Sequence, residues 1–203
     1  MQYITQLIRV RWFNDACYQL ELPNGVSVLV DPYIDSSPLK VTDSSVLERV
    51  DYILVSHTHF DHVLDLKEIA GRFQAQVFVG RESAVELARQ CDLAGWQVNP
   101  CTPGDTHYLD GFVLHSYGGK HTCLGEMDRP SNWPENLKRE KLAEETLKLN
   151  MLGSYEYTNY ILELPQHMRI LIWGGGATSH AIREAKEYLP NISIAQLPRE
   201  KPK

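Results

Sequence analysis

A cluster of metal-ligand residues directly after an apolar strand is the feature that most constrains the fold of this chain. Residues 52–55 are Tyr-Ile-Leu-Val, a short run typical of a strand that is covered on both faces. The next seven positions contain four candidate ligands, which are His57, His59, Asp61 and His62. The pattern therefore predicts a sheet-based fold with a metal site at the end of a buried strand.

The spacing of these residues suits two metal positions rather than one. Side chains alternate along an extended segment, so His57 and His59 project to the same side and can chelate one ion. If the chain turns into a helix near Asp61, that carboxylate and His62 are carried towards a second position. Imidazole and carboxylate ligands suit zinc, with manganese or iron as substitutes. A lone His-x-His pair is often a chance surface feature, but four ligands after a strand are not.

The rest of the sequence predicts an alternation of strands and helices, which indicates an α/β fold. An Asn24-Gly25 turn between apolar runs indicates a hairpin, and His121 lies just past a later strand, where it could join the cluster. The charged segment 135–149 indicates a surface helix within an insertion at 126–150. Strands are predicted at 6–13, 18–22, 26–30, 52–55, 76–79, 108–109, 112–117, 157–164, 169–173 and 192–197, and helices near 44–49 and at 64–73, 82–91 and 181–189.

Length, charge and cysteine content narrow the class of protein. A chain of 203 residues is expected to form a single domain over 1–203. The net charge of -6 disfavours nucleic acid as a partner. No apolar run approaches the roughly 18 residues that cross a bilayer, and no leader peptide is recognisable, so we expect a cytoplasmic protein without a membrane partner. The four cysteines form no Cys-x-x-Cys pair, which favours reduced thiols.

With these motifs in place, the sequence resembles the metallo-β-lactamase superfamily, whose His-x-His-x-Asp-His motif is matched in full. The segment around the Asp-Pro pair is most similar to the branch that contains ascorbate-6-phosphate lactonase-like enzymes. The resemblance implies an αββα four-layer sandwich of two sheets, with the second half shortened here. Further matching segments are Leu29-Val30-Asp31-Pro32, Pro103-Gly104-Asp105 and Gly119-Lys120-His121.

The resemblance also implies the composition of the metal site. His57, His59 and His121 would form the first metal position, while Asp61 and His62 would contribute to a second. Asp61 would in addition orient the nucleophile. One or two zinc ions are therefore expected.

Two departures from the family pattern concern the second metal. Gly175 stands where the family has a metal-bridging aspartate, and no histidine matches the last ligand of the family. His180 is a weak replacement, because histidines at helix starts are usually exposed or capping. Cys123 is expected to be a buried thiol. The strand histidines His107 and His115 are expected to be satisfied or exposed rather than ligands.

These observations predict a metal-dependent hydrolase that uses a metal-activated water on a small ester, lactone or phosphoester. The alternative is a catalytically degenerate scaffold of the same fold, with or without metal, because the bridging carboxylate is missing. An RNA-processing nuclease is disfavoured, since the chain has no basic arm. A shortened second sheet would leave an edge at 192–197, to be covered by a second subunit or by the insertion at 126–150.

Overall fold

The computed structural model describes residues 7–119, 121, 140–165, 168–173 and 194–196, and it contains two β-sheets. The first sheet has the order β1-β2-β3-β4-β5-β6 and the second has the order β11-β10-β9-β8-β7. The strands of the first sheet are β1 (Arg9–Asn14), β2 (Cys17–Glu21), β3 (Ser27–Val30), β4 (Tyr52–Leu54), β5 (Gln76–Gly80) and β6 (Val98–Cys101). Those of the second are β7 (Thr106–Leu109), β8 (Phe112–Gly118), β9 (Thr158–Glu163), β10 (Arg169–Ile172) and β11 (Ile194–Gln196).

The first sheet changes from antiparallel to parallel at β3. Strands β1 to β3 form the predicted meander, whereas β3 to β6 run parallel. Helices α1 (Phe60–Val63), α2 (Leu66–Phe73) and α3 (Arg81–Cys91) lie in the crossovers, and the predicted helix near 44–49 is a single 3-10 turn, Ser44–Val46. Because parallel strands end at the same edge of a sheet, the residues that follow β3 and β4 are brought side by side.

Strand β6 is a finding that the sequence did not predict. It contains Pro100, and proline cannot donate a hydrogen bond to a sheet. Among the described strands, β6 pairs only with β5 and lies at the edge of the sheet. An edge position leaves one side of the strand without a ladder, so the proline is tolerated there.

Alternation along the strands divides the apolar residues between two cores. One face of the first sheet packs on the second sheet through residues such as Val28, Leu54 and Tyr160. The hydroxyl group of Tyr160 donates across this interface to the carbonyl of Val55 at 2.8 Å. The other face packs against helices through residues such as Ile53. The described residues thus form a helix layer and two sheets, in agreement with the predicted fold, and the predicted helix at 181–189 lies outside them.

Helix α4 (Glu140–Tyr155) differs from the surface helix that the charged segment predicted. It extends beyond the predicted end, and its C-terminal half contains the buried residues Leu149 and Asn150. It packs against α1 and α3. The charged residues of the segment suggested exposure, and within α4 they lie mostly in the first half of the helix. The insertion at 126–150 and the single domain stay predictions. The prediction that a second subunit or the insertion covers the edge at β11 also stays a prediction.

The carboxylate of Glu156, the residue after α4, caps the N-terminus of α3. Gly80 at the N-cap of α3 has no side chain to offer, and the backbone N–H groups of Glu82 and Ser83 instead donate to the two carboxylate oxygens of Glu156, each at 2.9 Å. A Cβ atom on residue 80 would lie 2.2 Å from the Glu156 carboxyl carbon. Glycine is therefore required for this approach.

Replacing Glu156 with alanine is expected to destabilise the protein by about 0.5–2 kcal/mol, the range measured for the loss of a helix N-cap. The reason is that two N–H groups at the start of α3 lose their acceptor. Chemical denaturation of Glu156→Ala beside Glu156→Gln measures the effect, and the glutamine variant should lose less because it keeps one acceptor oxygen. Equal stability of the alanine variant and the parent would show that water replaces the cap.

No helix in the described part of the chain is both long enough and apolar enough to cross a bilayer.

Candidate metal centre

Three histidines meet at the carboxyl end of β4. His57 and His59 lie on the extended segment after the strand, and His121 follows β8 of the other sheet. Their ring centroids are 4.4 to 4.8 Å apart. One ligand nitrogen from each lies within 4.8 Å of the others, and no other such group of three occurs in the part of the chain that is described. The structure therefore brings together the three residues predicted for the first metal position.

The chemistry of this group fits a metal ion. His57 is buried, and burial together with the neighbouring histidines holds its pKa well below the usual value, so its ring is neutral and keeps a lone pair for coordination. A tetrahedral zinc ion with bonds of about 2.0–2.1 Å sets its ligands about 3.4 Å apart. The candidate ligand atoms here lie within 4.8 Å of one another, so binding would draw them closer together.

A serine fixes which nitrogen of His57 carries the proton. The Ser56 hydroxyl group donates its single proton to an oxygen of Asp31 at 2.6 Å. The same Ser56 oxygen lies 3.1 Å from Nδ1 of His57 and therefore accepts a hydrogen bond from it. The proton on Nδ1 leaves Nε2 of His57 as the atom available to a metal ion.

His62 and Asp61 form the second pair that the motif predicted. Helix α1 begins at Phe60, so the expected turn into a helix is present. Nε2 of His62 lies 3.8 Å from an oxygen of Asp61, whose side chain is 39% exposed, and the His62 and His57 ring centroids are 3.9 Å apart. These two side chains could share an ion beside the first position.

Asp31 is the functional residue whose role sequence reasoning missed. The sequence indicates Asp31 only as part of a segment that matches the family. In the structure it is buried, follows β3 directly and accepts hydrogen bonds from the Ser56 backbone N–H at 2.7 Å and from Nδ1 of His62 at 2.8 Å. Burial lowers the pKa of His62, but Asp31 and Asp61 outweigh it and raise that pKa to about 9. A buried carboxylate at the end of a strand beside the motif was the available signal.

Tyr157 was also not predicted to belong to the site. Its ring stacks on His57 with centroids 4.8 Å apart and an interplanar angle of 28°. Its position just before β9 could not be connected to His57 from the sequence, because the two residues meet only when the two sheets pack. The stacking restricts rotation of the His57 ring.

The remaining candidates are placed as expected or lie outside the described residues. His115 contacts Thr106 and Glu163, and His107 packs against the ring of Phe78, so neither joins the cluster. The other three candidates, Gly175, His180 and Cys123, lie outside the residues that the structure describes.

Comparison with known proteins identifies the family of the chain. A family model described as a beta-lactamase superfamily domain matches residues 9–134. A UPF0173 metal-dependent hydrolase of Solibacter usitatus (strain Ellin6076) is 34% identical over 191 residues, which are 94% of this chain and 72% of the relative. Another, from Methylacidiphilum infernorum (isolate V4), is 32% identical over 117 residues, which are 57% of this chain and 49% of the relative. The chain thus aligns with only about half the length of some curated relatives.

A solved structure shows the same fold at low sequence identity. The metallo hydrolase Igni18 from Ignicoccus hospitalis superimposes with a TM-score of 0.66 and 18% identity, over 93% of this chain and 69% of that protein. This likeness shows the fold, and the sequence matches show the family. The chain belongs to the metallo-β-lactamase superfamily, within its UPF0173 metal-dependent hydrolases.

Proposed function

We propose that this protein is a hydrolase in which a metal ion activates water for attack on a small ester, lactone or phosphoester. The observation that carries the proposal is the convergence of His57, His59 and His121 from two sheets. Three imidazoles leave one position of a tetrahedral ion open, as catalytic rather than structural zinc sites require. The names of the relatives as metal-dependent hydrolases support the same reading.

The ion we propose is zinc, with manganese or iron as substitutes, because the ligand set is nitrogen-rich and contains no thiolate. When bound, the ion lowers the pKa of water to about 7 and polarises a substrate oxygen. His57 would hold it through Nε2 while Tyr157 keeps the His57 ring in place.

Asp61 is the proposed catalytic carboxylate. Its side chain is 39% exposed and so can reach a substrate or water, whereas Asp31 is 2% exposed and cannot. A carboxylate there can accept a hydrogen bond from the attacking water and orient it. Asp61 and His62 would also hold a second ion, less tightly than the first because they supply only two ligands. We also propose that the protein acts in the cytoplasm on a small substrate. Its net charge of -6 disfavours long polyanions as substrates.

Metal-dependent turnover tests the proposal. Purified protein is assayed on generic esters, lactones and phosphoesters before chelation, after chelation and after zinc is added back. We expect hydrolysis of at least one class, its loss on chelation and its return with zinc. Asp61→Asn serves as the control for contaminating hydrolases and should lose turnover while the first ion stays bound. Tight metal binding without turnover in any class would instead support the degenerate scaffold.

A further inference from the structure

The last two turns of α4 make direct contacts with the segment that contains the metal-ligand motif. The Thr58 hydroxyl group donates to the carbonyl of Leu149 at 2.7 Å. The backbone N–H of Phe60, at the start of α1, donates to the side-chain oxygen of Asn150 at 2.9 Å. The side chain of His59, the N-cap residue of α1, makes no capping hydrogen bond. Asn150, which lies 90 residues after Phe60, caps the helix instead.

Ser154 contacts the metal-ligand candidate His59 itself. The Ser154 oxygen lies 2.9 Å from Nε2 of His59. The Ser154 hydroxyl group also donates to the carbonyl of Asn150 at 3.0 Å, a bond to the preceding turn that is common for helical serines. A hydroxyl group has one proton to donate, so towards His59 the Ser154 oxygen acts as an acceptor.

The tautomer of His59 follows from this arrangement. If Nε2 carries the proton and donates it to Ser154, then Nδ1 is the unprotonated nitrogen of the His59 ring. His57 has the opposite tautomer, because its Nδ1 donates to Ser56. The two rings on either side of Thr58 would therefore present different nitrogens to one ion.

Gly153 allows the helix to come this close. A Cβ atom at residue 153 would lie 2.8 Å from the backbone nitrogen of His59, 2.9 Å from Cδ2 of the His59 ring and 2.9 Å from the carbonyl carbon of Thr58. Two of these three atoms belong to backbone and cannot rotate away. Any side chain at 153 must therefore push α4 and Ser154 away from His59.

We propose that Ser154 is a positioning residue for the metal centre, which holds His59 with Nδ1 towards the ion, and that Gly153 makes the contact sterically accessible. The inference rests on the metal-binding role proposed for His59. It assigns a metal-supporting role to a helix that the sequence indicated only as a surface insertion. Partners that orient a ligand histidine typically change metal affinity 10–100-fold when they are removed.

Two pairs of variants separate this role from a merely structural one. Ser154→Ala removes the acceptor, whereas Ser154→Thr keeps the hydroxyl group. Gly153→Ala introduces the clash, whereas Gly71→Ala makes the same change in α2, where a Cβ atom meets nothing within 4 Å. Alanine is a better helix former than glycine, so helix propensity alone would favour both glycine replacements.

Each variant is measured for Zn²⁺ affinity by competition with a chelator, for the visible absorption bands of bound Co²⁺ and for the melting temperature of the metal-free protein. We expect Ser154→Ala to weaken Zn²⁺ binding about 10–100-fold and to alter the Co²⁺ bands, while Ser154→Thr stays close to the parent. Gly153→Ala should weaken Zn²⁺ binding by at least about 10-fold, while Gly71→Ala should raise the melting temperature and leave affinity unchanged.

Failure of the inference can be told from failure of the proposed function. Parent protein that binds Zn²⁺ tightly, with Ser154→Ala showing the same affinity and the same Co²⁺ bands, would overturn the role of Ser154 and leave the proposed hydrolase intact. A fall in melting temperature of Ser154→Ala without any change in affinity would also overturn it. Parent protein that binds no Zn²⁺ would overturn both.

Discussion

Replacing His121 with alanine is expected to abolish the first metal position and, with it, hydrolysis. His121 supplies one of three nitrogens in the cluster and is the only one of them that comes from the second sheet. Its loss leaves two of these ligands, and the described residues contain no second group of three candidate ligands. We expect a fall in kcat/KM of at least about 100-fold, beyond the range for removing a residue that only orients a ligand, and a matching loss of bound zinc.

His115→Ala is the matched control for that experiment. His115 lies on β8, the strand that precedes His121, but contacts Thr106 and Glu163. The control should keep its metal content and turnover. Metal content that stays at the parental level in His121→Ala would contradict the assignment of the site, whatever happens to activity.

Removing the Asp31 carboxylate should have the largest effect on stability. In Asp31→Ala the backbone N–H and hydroxyl group of Ser56 and Nδ1 of His62 all lose an acceptor inside the protein. Breaking a buried ion pair from one side costs about 3–5 kcal/mol. Residue 31 also has φ of 45°, a conformation that alanine adopts poorly. We therefore expect a loss of about 3–5 kcal/mol in the free energy of unfolding, measured by chemical denaturation.

Asp31→Asn removes the charge of the side chain and keeps its shape, because asparagine has nearly the same size as aspartate and tolerates positive φ. In the metal-free parent the pKa of His62 is raised from 6.5 to about 9, so its pairing with Asp31 stabilises the fold fully below about pH 6.5. That stabilisation is lost as the pH rises through about 9. The asparagine variant should show a weaker loss over this interval. Identical pH profiles for the metal-free parent and Asp31→Asn would contradict the pairing.

Local sequence patterns predicted the parts of the fold that depend on neighbouring residues. The apolar run at 52–55 and the residues after it predicted β4 and the placement of His57 and His59 at its end, because period-two alternation and the turn into α1 are set within a few residues. His121 was found because it follows a hairpin strand with a clear turn. In these places local geometry and tertiary structure agree.

The supporting residues could not be predicted because they depend on packing between distant segments. Ser154 and Glu156 act on residues more than 70 positions earlier, and nothing in their own neighbourhood marks them as partners of His59 or of α3. The edge strand β6, which contains Pro100, was missed as well, and only the sheet order shows its edge position. Contacts between residues that are distant in the sequence are therefore harder to predict in this protein than local motifs.

A crystal structure of the zinc-loaded protein, with anomalous scattering recorded at the zinc absorption edge, tests the central claim most directly. The account predicts an anomalous peak bonded to Nε2 of His57, Nδ1 of His59 and a nitrogen of His121, with bonds of about 2.0–2.1 Å. An ion bound elsewhere, or a zinc-saturated protein with no ion among these three histidines, would contradict it.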